Sequence, residues 1–228
     1  YVMSEGAAIQ VLTTYRYAAA HGLPILGEFG RTSFRSSAPG HLLAPSERAY
    51  GEAIADCYRR LPVARRELVH LDVFGVANPL LDLMEKQALE AQFPRGVCFG
   101  NIKPEFGYFK SANPAVVVTK LLLMHRRQAL LPNFNHRPET SIVGPGSRLS
   151  ANRRLQDLQG RPLRYFATNV NGVGGNHGHT VLGALPPRLA LPAQPVAQNA
   201  AVVRPRPSRP APSKQEGLVA LVSGQGAQ

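Results

Sequence analysis

At 228 residues and 44% hydrophobic the chain can pack one domain with tails, while 20 prolines and no tryptophan point to a non-globular portion. No run approaches the roughly 20 apolar residues of a membrane span, and YVMSEGAAIQVL lacks a basic signal-peptide n-region, so a cytoplasmic location is expected. The net charge of +12 would suit nucleic acid or an acidic protein partner; no RNP-like aromatic motif or zinc-finger spacing accompanies it, so nucleic acid is not expected.

In chain order, Val2–Thr13 reads as a tight Glu5-Gly6-Ala7 turn feeding a buried strand. Tyr15–His21 reads as a short helix stopped by Gly22 and Pro24, and Ile25–Phe29 as a second short apolar strand. Arg31–Pro45, RTSFRSSAPGHLLAP, is rich in Ser, Gly and Pro and is expected to be a loop. Ser46 and Glu47 begin a helix reaching about Leu61, with Tyr50, Ile54, Cys57, Tyr58 and Leu61 on one buried face. Burial there accounts for Cys57 without invoking reactivity.

Glu67–Glu85, ELVHLDVFGVANPLLDLME, gives a strand over Leu68–Val73 and a turn at Phe74-Gly75. Pro79 then opens a helix, where its missing N–H costs nothing. His70 is expected as a strand or surface histidine. Arg95–Ile102 is another strand, with Cys98 buried. Asn101–Asn135 starts with a polar segment carrying Lys103, bends at Gly107, and continues as an apolar helix over Ala112–Met124. His125, Arg126 and Arg127 in its last turn complement the helix dipole.

Pro132–Gln159 is turn-rich, with a short helix expected over Ser150–Leu158. Leu163–Asn171 and His179–Leu185 are strands flanking the glycine cluster GVGGNHGH, Gly172–His179. A strand follows that cluster where a dinucleotide motif demands a helix. His177 and His179 offer half a metal site with no third ligand at useful spacing, and two cysteines make no metal cage, so no metal is expected.

Four of these stretches, in this order, resemble a β-ketoacyl synthase (ketosynthase). Glu5-Gly6-Ala7 with Val11-Leu12 is similar to the family's G-E-G-A-x-x-x-V-L. The stretch ending at Leu89 resembles V-E-A-H-G-T-G-T-P-L-G-D-P-I-E-A-E-A-L, keeping Gly75, Pro79, Leu80, Asp82, Glu85, Ala88 and Leu89, with T-G-T replaced by Val76, Ala77 and Asn78. Asn101–Asn135 resembles K-S-N-I-G-H, a buried helix and L-P-P, and Gly172–His179 resembles G-F-G-G-T-N-A-H. The resemblance covers about Val2–Leu185. It implies an α/β, thiolase-like layered αβαβα fold, residues 1–185 being the C-terminal half of a ketosynthase-like domain.

The resemblance also implies a site. The first family histidine falls on Phe74 and the second on Tyr108, while Lys103 matches the lysine that organises the active site electrostatically. Gly172, Val173, Gly174 and Gly175 match the loop that gates the acyl tunnel, Val173 standing where relatives carry phenylalanine. Decarboxylative condensation needs a cysteine thiolate to hold the acyl chain, donors to stabilise the enolate, and an oxyanion hole. A neutral imidazole suits the second task. Phenylalanine donates nothing, tyrosine donates from a different place, and losing one such donor costs ~3 kcal/mol.

The expected function is therefore a degenerate ketosynthase-like domain of the chain-length-factor or pseudo-ketosynthase type. It would shape the acyl tunnel or scaffold an active ketosynthase in a polyketide or polyunsaturated fatty acid synthase. A divergent active synthase using Tyr108, and a pure carrier-protein-binding scaffold, are the alternatives. Implied partners are an acyl carrier protein, a ketosynthase as homo- or heterodimer, and an acyltransferase in cis. No cofactor is expected on this domain; acyl and malonyl groups would arrive on the carrier's phosphopantetheine.

Residues 186–216 form a Pro/Ala/Arg-rich stretch expected to be a disordered, extended linker. Residues 217–228 resemble the first strand and loop of a malonyl-CoA/ACP acyltransferase, with Gln225 lining the acyl site. Starting without Met and stopping inside that motif, the chain is expected to be a piece of a longer polypeptide with the nucleophilic cysteine upstream. Alone, such a half-domain is expected to expose an apolar face and to aggregate.

Overall fold

A computed structural model describes residues 2–36, 46–61, 65–134, 136–137, 141–158, 165–172 and 174–183. The expected linker over 186–216 and the acyltransferase start over 217–228 lie outside the described residues.

Helix α1 (Tyr15–Ala20) starts where the Thr14 side chain accepts from the Tyr17 N–H. Strand β1 (Glu28–Ser36) leads to α2 (Glu47–Arg59), capped by the Ser46 hydroxyl accepting from Ala49 N–H. Strand β2 (Leu68–Asp72) precedes α3 (Pro79–Gln92), whose Asn78 cap accepts from the N–H groups of Leu80 and Leu81. Strand β3 (Val97–Gly100), the single turn α4 (Lys103–Phe106) and the long α5 (Asn113–Arg127) follow, the last with His125, Arg126 and Arg127 in its final turn. Short strands β4 (Ala129–Leu130), β5 (Leu149–Ala151) and β6 (Gln156–Asp157) precede the hairpin of β7 (Tyr165–Gly172) and β8 (Asn176–Gly183).

The six-stranded sheet runs in the order β1-β8-β7-β2-β3-β5. β8 is antiparallel to both neighbours, and the pairs β7–β2, β2–β3 and β3–β5 are parallel. One face carries α2 and α3: Ile54, Cys57, Leu89 and Phe93 pack on Leu71, Phe99, Ala167 and Val181. The opposite face carries α5, with Val117, Leu121 and Met124 against Phe166 and Leu182. Adjacent residues of β7 and β8 serve opposite cores because strand side chains alternate. The result is the layered α/β arrangement expected.

Four expectations fail. Val2–Thr13 is not a buried strand: Ile9 and Val11 are each 88% exposed. No described strand lies alongside it beyond an isolated Met3–Tyr108 bridge, and an apolar pattern buries itself only where a partner surface exists. Arg31–Ser36 is strand rather than loop. Its Ser-rich composition hides a two-residue period, with Arg31, Ser33 and Arg35 on one face and Thr32 paired to Thr180. The Ile25–Phe29 strand accordingly begins only at Glu28. Ser150–Leu158 is no helix; β5 and β6 replace it, and the Asn152 side chain between them donates to the carbonyls of Leu130 and Leu131. An Asn whose amide is drawn to other backbone competes with helix.

Candidate functional site

Strand β2 ends at Asp72, and the loop that follows is held at both edges. Val73 N–H donates to the Gly100 carbonyl at 2.8 Å. From α3, the Glu85 carboxylate accepts from the backbone N–H of Phe74 (2.8 Å) and of Gly75 (2.9 Å), and Asp82 accepts from Val76 N–H (2.9 Å). Asn101 closes the other side, donating to the Gly75 carbonyl at 2.8 Å. Gly75 has φ +31°, and a Cβ there would lie 2.6 Å from the Asn101 amide nitrogen, so the close approach requires glycine.

Lys103 opens α4 directly beneath this loop. Its ammonium donates to the Phe74 carbonyl and sits 4.6 Å from the Phe74 ring centroid and 5.2 Å from that of Tyr108. The two rings meet edge to face, 5.9 Å apart at 90°. Tyr108 follows the bend at Gly107, where φ is +79°, and its backbone is fixed by the N-terminal segment. Tyr108 N–H donates to Val2 carbonyl (2.8 Å), and Ser4 N–H donates to the Tyr108 carbonyl (3.1 Å). The structure thus brings Phe74, Lys103 and Tyr108 into one cluster.

Burial pushes the Lys103 amine down to about 8, against the opposing pull of the Glu85, Asp72 and Asp82 carboxylates. Burial also pushes the Glu85 and Asp82 carboxyls up, against the backbone N–H groups they accept from. A cavity of about 360 Å³, bordered by Gly75, Asp82, Glu85, Phe99, Asn101 and Asn133, abuts the same loop. Cys57 lies on the buried face of α2 and its thiol is pushed up to about 11 by burial, the state of an inert core thiol.

Gly172, Gly174 and Gly175 form the β7–β8 turn; Val173 and Gln225 lie outside the described residues. The turn is linked to the Phe74 loop by a polar chain that reading the sequence missed. Asn169 of β7 donates to Glu85 at 2.8 Å and pairs with His179 Nδ1 at 2.7 Å. His179 and His177 do not converge on a common centre, since each imidazole is held by its cross-strand asparagine, Asn169 or Asn171. The signal was available: side chains directly opposite on β7 and β8 must meet. His70 lies fully buried in β2, 4.0 Å from Asp72, whose other neighbour is the Lys120 ammonium of α5 at 2.7 Å.

Residues 30–137 match the family model described as beta-ketoacyl synthase, C-terminal domain. The chain is 29% identical over 201 residues to polyketide synthase GfsA of Streptomyces halstedii, covering 82% of this chain and 3% of that protein. It is 26% identical over 230 residues to 5-methyl-1-naphthoate synthase of Streptomyces sahachiroi, covering 97% and 13%. It therefore spans a small part of the length of these curated relatives. Among solved structures, an oxazolomycin ketosynthase domain of Streptomyces albus JA3453 superposes with a TM-score of 0.69 at 25% identity, over 77% of this chain and 32% of that one. The ishigamide ketosynthase/chain length factor shares the fold with a TM-score of 0.67 at 20% identity, over 75% and 41%. The layered sheet is thus the thiolase-like ketosynthase fold, and its match to the beta-ketoacyl synthase C-terminal model spans residues 30–137.

Proposed function

We propose that this ketosynthase-type segment of a polyketide synthase does not itself condense acyl groups, and that it shapes an acyl tunnel or scaffolds an active ketosynthase partner. The observation that carries this reading is the Phe74–Tyr108 pair, edge to face and capped by the Lys103 ammonium. In the resemblance, imidazoles at these two positions donate to the developing enolate. Phenylalanine offers no donor there, and the loss of one is worth ~3 kcal/mol of barrier. The buried Lys103 donates to the Phe74 carbonyl, so its role is to hold the loop.

On this reading the partners are a carrier protein presenting acyl or malonyl groups on phosphopantetheine, a ketosynthase in a homo- or heterodimer, and an acyltransferase in cis. A solved complex of a type II polyketide synthase acyl-carrier protein with its ketosynthase shares this fold with a TM-score of 0.66 at 18% identity. The test is the full multienzyme with Tyr108→Phe. Unchanged malonyl-thioester decarboxylation and product output are expected. A fall of about a hundredfold would instead make Tyr108 the enolate donor of a divergent active synthase.

A further inference from the structure

We propose that the arginine cluster on β1 and the last turn of α2 is a binding site for a phosphoryl dianion, either inorganic phosphate or a phosphomonoester. The strand period puts Arg31, Ser33 and Arg35 in one row facing α2. The helical period puts Arg59 and Arg60 three and four positions beyond Asp56. All four guanidinium groups converge on the Asp56 carboxylate, Arg31, Arg35 and Arg60 at 3.5 Å and Arg59 at 3.4 Å.

One carboxylate cannot satisfy this cluster. It accepts from the Ser33 hydroxyl at 3.0 Å through Oδ2, and Oδ1 has no seated donor among the described residues. Arg35 turns one Nη to Ser33 Oγ (3.1 Å) and the Phe34 carbonyl (2.7 Å). Two oxygens offer about four lone-pair sites to four forks of five N–H donors each. The arginine distances exceed the roughly 2.7–2.9 Å of a seated charge-assisted bond. Arg31 Nε is buried with no hydrogen-bond partner among the described residues. Three positive charges remain in excess. The side chains of Arg59 and Arg60 stay 65% and 60% exposed, leaving the approach open. A phosphomonoester brings a charge of about −1.5 to −2 and three strong acceptor oxygens, matching planar forks and surplus charge together.

Calorimetric titration of the full chain with inorganic phosphate and with glycerol 3-phosphate tests this at low ionic strength. Saturable binding is expected that weakens about tenfold in Arg59→Gln/Arg60→Gln and changes less than about twofold in Arg48→Gln, whose partner Glu52 lies elsewhere on α2. Arg35→Gln serves as the second variant should the double one misfold by circular dichroism. Binding should also weaken several-fold as pH falls through the phosphate's second ionisation near 6. Tighter binding of glycerol 3-phosphate marks a carried phosphate, and tighter inorganic phosphate a free one. Absence of saturable binding, an equal loss in Arg48→Gln, indifference to pH, or binding of a poly-glutamate peptide where neither phosphate binds would each overturn the proposal.

Discussion

The Glu85 carboxylate accepts from the Asn169 side chain at 2.8 Å, which joins α3 to the strand entering the glycine turn. The same carboxylate holds Phe74 and Gly75 N–H, so one buried acid fixes both the loop over Lys103 and the approach to the hairpin. Glu85→Ala orphans two buried donors, Phe74 N–H and the Asn169 amide, each worth about 1–3 kcal/mol, and the half-buried Gly75 N–H. Urea denaturation should show a loss of at least about 3 kcal/mol, and a smaller one for Glu85→Gln, which keeps an acceptor oxygen. An alanine variant within about 1 kcal/mol of the parent would exclude this role.

Three buried bases, His179, His70 and Lys103, contribute to the pH dependence with one sign at different pH. His179 is held down to about 3 by burial, so below the usual histidine value near 6.5 the unfolded chain binds a proton that the folded chain does not. Stability must fall as pH drops from there, by about 1.4 kcal/mol per unit from this group alone, and His70 acts in the same direction. Lys103, at about 8, repeats the logic above that pH, until the buried thiols of Cys57, pushed up to about 11, and Cys98, also shifted upward, oppose it from the usual cysteine value near 8.5. The buried hydroxyls of Tyr50 and Tyr58, both shifted upward by burial, then act in the same direction as the thiols. Melting of Lys103→Met should lose stability more steeply than the parent above about pH 8; superimposable pH profiles would remove Lys103 from this account.

Ala77 adopts φ +59°, in the left-handed region that costs a residue with a Cβ about 1 kcal/mol or more. The resembling motif has glycine at this position. Ala77→Gly should therefore raise the thermal midpoint, reporting a gain of about 1 kcal/mol. A lower midpoint would mean that the alanine methyl is needed for packing.

The Asp72–Lys120 pair is almost wholly withdrawn from water, at 1% and 10% side-chain exposure. Lys120→Met leaves Asp72 charged and unpaired beside His70, and a loss of about 3–5 kcal/mol is expected in denaturant titrations. Replacing both, Asp72→Asn with Lys120→Met, should recover part of it; equal losses would mean the two charges do not interact.

Much of this arrangement was legible because it is local. The apolar face of α2, the proline start of α3 and the dipole-matched end of α5 follow from period and capping, while Phe74, Lys103 and Tyr108 are singled out by the resemblance to ketosynthase motifs. What stayed hidden depends on distant partners. Arg31–Ser36 looks like a loop until β8 is laid beside it, and Ile9 and Val11 look buried until no strand is found there. The role of Glu85 needed Asn169, which lies 84 residues away in sequence.

Because β8 lies between β1 and β7, β1 has no other described neighbour to pair with. Thr32 and its partner Thr180 are 148 residues apart. At synthesis rates of about 5–20 residues per second, β1 emerges roughly 7–30 s before its partner. Through that interval its backbone donors and acceptors, and the Phe34 ring that remains 63% exposed even after folding, are open to other chains. The sheet order therefore makes the birth of this protein its most aggregation-prone moment, and a chaperone that shields nascent strand edges should raise its yield more than one acting after release.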